Sequence, residues 1–196
     1  MRMCSLVISM LVTLSPMIAF AEDIPPQQAN VDPQMNLPQD PVDPSSELLK
    51  KGQAFMDGGK YEEAINEFSE IIKKNPSLSR AYLDRALSYS YAGKLDLAIA
   101  DFNKAIEVDP NSADAYGGRA VFYVQQNKLT DALADWNKAA EISPKDPDVY
   151  RMRANTYLLT HDYDNAWADV HKAEDLGAAV SLKFIRALKE ASGRDQ

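Results

Sequence analysis

A pattern of about 34 residues recurs four times along this chain of 196 residues, from Ser45 to about Leu176. Pro76, Pro110 and Pro144 are evenly spaced and close three of the copies. When the copies are aligned, the same kinds of side chain recur in columns: Gly52, Ala86, Ala120 and Ala154; Phe55, Tyr89, Tyr123 and Tyr157; Ala64, Ala98, Ala132 and Ala166. A period of this length is typical of stacked units that bury their apolar faces against one another. The sequence therefore predicts a repeat protein.

Each copy contains two helical patterns separated by a short turn. In the second copy, Tyr82, Ala86 and Tyr89 are spaced for one face of a helix, and apolar residues return at helical spacing between 95 and 106. Pro110 ends the second pattern, because proline disfavours the helical conformation in the residue before it. The small columns leave room where two helices approach to about 8 to 10 Å. We therefore expect pairs of antiparallel helices.

The second and third copies resemble the tetratricopeptide repeat. The residues that carry the resemblance are Tyr82, Ala86, Tyr89, Ala98, Phe102, Ala105 and Pro110 in the second copy, and Tyr116, Ala120, Tyr123, Ala132, Trp136, Ala139 and Pro144 in the third. The outer copies are looser, with Leu48 and Val170 at aromatic positions and Ala178 at the proline position. Such departures are expected at the ends of a stack.

The resemblance implies an all-α fold, namely an α-solenoid of about four helix-turn-helix repeats followed by a C-terminal capping helix. The repeats are predicted at 45–78, 79–112, 113–146 and 147–180. An amphipathic pattern predicts the capping helix at 181–192.

The first 21 residues are typical of a signal peptide. Arg2 precedes an almost unbroken apolar run that ends in the small-residue pattern Ala19-Phe20-Ala21. We expect cleavage before Glu22 and export to the periplasm or out of the cell, with residues 22–44 as a disordered proline-rich linker. The apolar run is also long enough to be retained as a signal anchor, and this alternative stays open.

Charge and motif content indicate which functions to exclude. Loss of Arg2 with the leader leaves 20 basic against 29 acidic side chains, which argues against binding to nucleic acid or to anionic lipid. The one cysteine, Cys4, lies in the leader, and His161 and His171 share no helix face. Zinc spacings, phosphate loops and nucleophile motifs are absent from the sequence. We predict a protein that is not an enzyme, uses no cofactor or metal, and contacts membrane only if the leader is retained.

The resemblance also implies where a ligand binds, because ligands of this family usually lie on the concave surface lined by the first helix of each pair. The matching positions are Leu49, Gln53, Met56, Leu83, Asp84, Leu87, Tyr91, Gly117, Val121, Gln125, Arg151, Asn155 and Leu158. Their chemistry favours another protein as partner, bound as an extended peptide or a helix that is neutral to basic and partly apolar. Alternatively, the N-terminal segment or the closing helix covers part of this surface.

Some family members grip the acidic C-terminal tail of chaperones with cations and asparagines at five inner positions. The matching residues here are Leu49, Gln53, Asp84, Asp114 and Gly118. Because Asp84 and Asp114 would repel an acidic tail, we predict no binding of this kind.

Acidic and arginine columns run through the repeats. We hypothesise ion pairs between neighbouring repeats, in which each acid pairs with the arginine of the repeat that follows it: Glu67 with Arg85, Asp101 with Arg119, and Asp135 with Arg153. Such partly buried pairs would fix the register of the stack more than they would add stability.

The sequence as a whole favours a non-catalytic protein-protein interaction adaptor or scaffold of the bacterial periplasm or cell envelope. The alternative is a structural subunit of a membrane-anchored envelope assembly or secretion complex, with the N-terminal segment retained as a signal anchor.

Overall fold

The computed structural model describes residues 44–193. The helices in that range are α1 (Pro44–Asp57), α2 (Tyr61–Lys74), α3 (Ser79–Tyr91), α4 (Leu95–Val108), α5 (Ala113–Gln125), α6 (Leu129–Ile142), α7 (Pro147–Leu159), α8 (Tyr163–Asp175) and α9 (Leu182–Ser192). No strand occurs among these residues, and the all-α repeat fold is confirmed. The predicted signal peptide, and the predicted linker up to residue 43, lie outside the described residues.

The helices form four antiparallel pairs, α1–α2, α3–α4, α5–α6 and α7–α8, and each pair packs against the next. The small columns lie where the helices approach, and their members are fully buried: Ala64, Ala86, Ala98, Ala120, Ala132, Ala154 and Ala166. Phe68, Phe102 and Trp136 fill the space beside them and are at most 2% exposed. The small and the large columns therefore divide the packing between them, as ridges and grooves do in helix packing. Between residues 44 and 193, no helix combines the length and the apolar character needed to cross a bilayer.

The turn inside each pair uses one residue in the left-handed conformation. These residues recur once per repeat and are Gly59 (φ 70°), Gly93 (φ 74°), Asn127 (φ 57°) and His161 (φ 60°). Glycine adopts this conformation without a steric penalty, and asparagine and histidine adopt it more readily than most other residues. The position of His161 in the fourth repeat is thus explained by turn geometry.

The capping helix α9 packs as the first helix of an uncompleted fifth repeat. Phe184 and Leu188 lie one repeat period after Tyr150 and Ala154, and they are 5% and 0% exposed. They form an apolar cluster with Trp167 of α8. Leu158, one of the predicted ligand-binding residues, packs against the same cluster. Part of its side chain is therefore used in packing against the cluster that α9 completes.

Candidate functional site

We call the thirteen predicted ligand-binding residues of α1, α3, α5 and α7 the first-helix face. The structure divides them by burial. Six are buried and support the face from beneath: Met56, Leu83, Asp84, Leu87, Gly117 and Val121. Seven are partly exposed and can contact a ligand: Leu49, Gln53, Tyr91, Gln125, Arg151, Asn155 and Leu158. The apolar residues that the sequence places at the centre of the face, Leu83 and Leu87, are each 3% exposed, so they belong to the core.

Two adjacent glycines in α5 are explained by aromatic packing. A Cβ atom on Gly118 would lie 2.3 Å from Cε1 of Phe102, and one on Gly117 would lie 3.2 Å from Cζ3 of Trp136. Gly117 is therefore a packing residue as well as a member of the first-helix face. An arginine or any other side chain at position 118 requires the Phe102 ring to move.

Charged residues gather near the N-terminal ends of α3 and α5. Arg80 Nε donates to both carboxylate oxygens of Asp84, at 2.8 and 2.9 Å. Burial raises the pKa of Asp84, the ion pair with Arg80 opposes that rise, and the negative charge of Asp114 adds to it. Asp114 itself makes no hydrogen bond or ion pair with any residue in the described range. Asp114 is therefore a carboxylate at this end of the face that is not in an ion pair with any described residue.

A cleft of about 730 Å³ opens beside Asp114, between the N-terminal ends of α5 and α7. It is lined by residues 111–114 and 143–148. Asp146 caps α7 by accepting from the Asp148 backbone at 3.0 Å. Asp148 pairs with Arg151 at 2.7 Å, although burial raises the pKa of its carboxyl. The cleft therefore combines carboxylates and the exposed Lys145 with helix ends that already have their caps.

The opposite end of the face lies at the C-terminal ends of α3 and α5. Tyr91 stacks on Tyr61 of the preceding repeat with 5.1 Å between ring centroids, and burial raises the pKa of Tyr91 to about 12. One repeat further on, the amide nitrogen of Gln125 is buried and has no hydrogen-bond acceptor among the described residues. The indole nitrogen of Trp136 is in the same state. An unpaired buried donor raises the free energy of the folded state, so each of these two nitrogens lowers the stability of the fold.

The arginine column forms ion pairs, but with different partners from those hypothesised. Arg119 Nε and Nη2 donate to the two oxygens of Asp135, each at 2.7 Å, within the same repeat. The equivalent pairs in the neighbouring repeats are Arg85 with Asp101 and Arg153 with Asp169. The hypothesised pairs Glu67–Arg85, Asp101–Arg119 and Asp135–Arg153 are therefore wrong. In the first repeat Lys51 takes the place of the arginine and pairs with Glu67 at 2.6 Å.

The contact between repeats comes from the remaining guanidinium nitrogen. Nη1 of Arg119 donates to Asn103 of the preceding repeat at 2.7 Å, and Nη1 of Arg153 donates to Asn137 at 2.9 Å. Ser69 is the equivalent acceptor for Arg85, at 3.0 Å. The column of Ser69, Asn103 and Asn137, just after each acid along the helix, was the sequence signal for this contact.

Tyrosines enclose each of these arginines. The Arg119 guanidinium lies 5.7 Å from the ring centroids of both Tyr116 and Tyr123, within the range of a cation–π interaction. The hydrogen bond to Asp135 raises the pKa of the Arg119 guanidinium. With 19% of its side chain exposed and its donors occupied, Arg119 has a structural role.

The two histidines make separate contacts with aromatic side chains. His161 Nδ1 lies 2.9 Å from the hydroxyl of Tyr163, and His171 stacks on Trp167 with 5.9 Å between ring centroids. In the part of the chain that the structure describes, no three side chains of His, Cys, Asp or Glu are placed to hold a metal ion.

Comparison with known sequences gives two matches. A family model described as the tetratricopeptide repeat matches residues 49–89 and 83–147. A stretch of 46 residues is 44% identical to Hsp70-Hsp90 organizing protein 3 of Arabidopsis thaliana. That stretch is 24% of this chain and 8% of the plant protein, so the chain spans only a small part of that relative.

Solved structures share the same helical arrangement. MamA from Desulfovibrio magneticus RS-1, from residue 41 to its end, is 19% identical with a TM-score of 0.60, over 67% of this chain and 75% of that one. The first TPR domain of Spaghetti (RPAP3), bound to the HSP90 peptide SRMEEVD, is 23% identical with a TM-score of 0.56, over 59% of this chain and 92% of that one. At these identities the likeness shows the fold.

Proposed function

The chain belongs to the tetratricopeptide repeat family, and from that premise we propose that it is a non-catalytic adaptor or scaffold that binds another protein through the first-helix face. The observation that carries this proposal is the set of seven partly exposed residues on that face, which combine apolar and polar side chains. A relative of the same fold was solved with a bound peptide, which supports peptide binding as the activity.

The partner is proposed to be neutral to basic and partly apolar. At the five positions that correspond to a chaperone-tail clamp, this chain has no lysine or arginine. Arg80 is held in an ion pair by Asp84, and Phe102 occupies the space that a longer side chain at Gly118 would need. We therefore expect the acidic peptide SRMEEVD not to bind this protein.

Site-specific photo-crosslinking tests the location of the binding site. A photoreactive amino acid at Leu49 or Asn155, both partly exposed on the first-helix face, is expected to give a defined crosslinked adduct with a partner protein in cells. The same amino acid at Leu97, which is 50% exposed on α4, is the matched control. Equal adducts from Leu97, or no adduct from Leu49 and Asn155, would contradict the proposal.

The proposed location is outside the cytoplasm, in the periplasm or cell envelope of a bacterium. The support is the leader pattern of residues 1–21, which ends in Ala19-Phe20-Ala21. Retention of this segment as a signal anchor, in a membrane-anchored assembly or secretion complex, is the second candidate because the apolar run approaches the length of a bilayer span. The intact mass of the protein isolated from cells distinguishes them, since a chain that begins at Glu22 rules out the anchor.

A further inference from the structure

Three of the partly exposed residues of the first-helix face lie together at its N-terminal end. Leu49 and Gln53 belong to α1, and Tyr91 belongs to α3. Tyr91 stacks on Tyr61, which begins α2 just after the turn from α1, so this half-buried aromatic pair lies level with the C-terminal end of α1. Grooves that are lined by aromatic rings bind proline-rich segments in the polyproline II conformation. This end of the face therefore has the chemistry of a site for a proline-rich segment.

The chain just before α1 has the period of such a segment. Met35, Pro38 and Pro41 are three residues apart, and we call them the apolar stripe. A polyproline II helix has three residues per turn, so the sequence predicts that the three side chains share one face. Proline restricts the chain to this conformation before it binds, which reduces the entropy lost on binding.

The length of the segment matches the length of α1. In polyproline II, residues 35–41 extend about 22 Å. The 14 residues of α1, Pro44–Asp57, extend about 21 Å. Val42 and Asp43 remain to reverse the direction of the chain before α1 begins. The segment can therefore return along the whole of α1.

A segment that returns along the first-helix face brings the apolar stripe to the exposed residues. Three residues of polyproline II and six residues of α-helix both advance about 9 Å, so the two run in step. With Pro41 beside the first turn of α1, Pro38 lies level with Gln53. Met35 then lies level with Tyr91, whose ring makes favourable contacts with a methionine sulfur.

Charge makes the segment a weak occupant. It carries Asp40 and Asp43, whereas a neutral to basic partner is proposed for the face. Lys50 and Glu47, both exposed in the first two turns of α1, balance each other, so α1 neither attracts nor repels these acids strongly. A weak contact is sufficient, because a short tether gives the segment an effective concentration in the millimolar range.

We propose that residues 35–43 bind along α1 on the first-helix face as a polyproline II segment, with Met35 at the stacked rings of Tyr61 and Tyr91. This inference rests on the proposed function and adds the regulation of its site. The segment covers the α1 part of the face until a partner protein displaces it, and it leaves the α7 part open.

Intramolecular photo-crosslinking of the purified chain without its leader tests the contact. A photoreactive amino acid at Gln53 is expected to form an adduct with residues 35–43 about fivefold more often than one at Ala54. Mass spectrometry identifies the adduct. Equal yields at the two positions would show a segment that moves freely around α1, and would overturn the proposal.

Ala54 is the matched control because it lies in the same turn of α1 and is exposed. Two repeats further on, the same position is Phe122, which packs on Phe102 of the preceding repeat with 5.5 Å between ring centroids. Ala54 therefore points to the open end of the stack, away from the first-helix face, at the same distance from the tether.

Paired glycine substitutions test the apolar stripe. Pro38→Gly combined with Pro41→Gly is expected to lower the adduct yield to the level of the control position, because the stripe and the preformed conformation are both lost. Asn36→Gly combined with Gln39→Gly is the matched control outside the stripe, and it is expected to keep most of the yield. An equal loss in both double variants would overturn the assigned register.

A mixture of isotope-labelled and unlabelled chains identifies the origin of the segment. Adducts are expected within one chain, with the mass of one chain. Adducts that join a labelled chain to an unlabelled one would show that a second copy supplies the segment, and would overturn the assignment to the chain itself.

Crosslinking in cells separates this inference from the proposed function. With Pro38→Gly and Pro41→Gly, the partner adduct at Leu49 is expected to increase about threefold or more, and the adduct at Asn155 is expected to stay unchanged. An unchanged adduct at Leu49 would overturn the regulation and leave partner binding by the face in place. Absence of partner adducts at both positions would contradict the proposed function and with it the regulation, whereas the adduct at Gln53 would still show the bound segment.

Discussion

Arg85, Arg119 and Arg153, with the acids that they bind, form what we call the arginine ladder. Each of these arginines contacts two repeats at once, because its planar guanidinium presents several donors in fixed directions. Two nitrogens of Arg119 bind Asp135 in its own repeat, and the third reaches Asn103 in the repeat before. Tyr116 and Tyr123 flank the guanidinium. A lysine could not make these contacts together, and in the first repeat Lys51 makes a single ion pair with Glu67.

Replacing Arg119 by methionine is expected to lower the free energy of unfolding by about 2 to 4 kcal/mol, because Asp135, which is 5% exposed, would lose its counter-ion. Chemical denaturation followed by circular dichroism measures the change. Arg186→Met, at an exposed position on α9, is the control. A loss equal to that of the control would show that the ladder contributes nothing to stability.

Asp84 gives a prediction about pH. Burial raises the pKa of Asp84 above its ordinary value, so the folded state holds the proton more tightly than the unfolded state does. Its contribution to stability is therefore fully present below the unfolded pKa and is lost as the pH rises through the folded pKa. Asp84→Asn is thus expected to melt at a higher temperature than the parent at pH 7.

The difference in melting temperature between Asp84→Asn and the parent is expected to disappear near pH 3, where both side chains are neutral. Thermal melts between pH 3 and pH 7 measure this difference in melting temperature. Asp96→Asn, at an exposed position, is the control. A lower melting temperature for Asp84→Asn at pH 7 would mean that the ion pair with Arg80 outweighs the cost of burial.

At the scale of helices, close approach sets the residue choice. The columns of alanine allow each pair to pack, and the aromatic side chains Phe102 and Trp136 pack against the backbone of α5. Gly118 is needed because the Phe102 ring lies where its Cβ would be. Helix α5 therefore tolerates two glycines despite their low helix propensity.

Gly118→Ala is expected to lower stability by about 1 to 3 kcal/mol, since overpacking outweighs the gain in helix propensity. Gly117→Ala, where the nearest ring atom is 3.2 Å away, is expected to cost less. In a Phe102→Leu background the clash is relieved, and Gly118→Ala is then expected to be stabilising. The double-mutant cycle is measured by urea denaturation, and an unchanged effect in the Phe102→Leu background would disprove the clash.

At the scale of the whole molecule, an open stack must be closed at its end, because each repeat leaves an apolar face for the next. Helix α9 does this with Phe184 and Leu188, which cover the last complete repeat beside Trp167. The arginine ladder stops at the same place, because Ala187 stands one repeat period after Arg153.

Deleting residues 181–196 is expected to destabilise the domain by roughly 3 to 6 kcal/mol, the burial of two large apolar side chains. Calorimetry measures the melting temperature of the shortened chain, which is also expected to bind more of a hydrophobic dye. Leu182→Gln is the control, since Leu182 is 82% exposed. A deletion that melts with the control would show that α9 does not close the stack.

Much of the fold was predictable from columns of residues. Ala98 and Ala132 recur at the period of the repeat, and they are fully buried as their spacing implied. Burial on the first-helix face was predicted less well, because a column shows which way a side chain points and not how close the next helix comes. Leu83 and Leu87 occupy two of the predicted ligand-binding positions, but both are 3% exposed and pack in the hydrophobic core.

The sequence alone determined the helix pairs, their number and the capping helix, since these follow from local periodicity, small residues and turn positions that act within one or two repeats. Only the tertiary structure decided the partners of Arg85, Arg119 and Arg153, because an acid in the same repeat and an acid in the preceding repeat are equally plausible until the distance between helices is known. It also decided that Asp114 and Gln125 are left without partners among the described residues, since pairing depends on every neighbour in space.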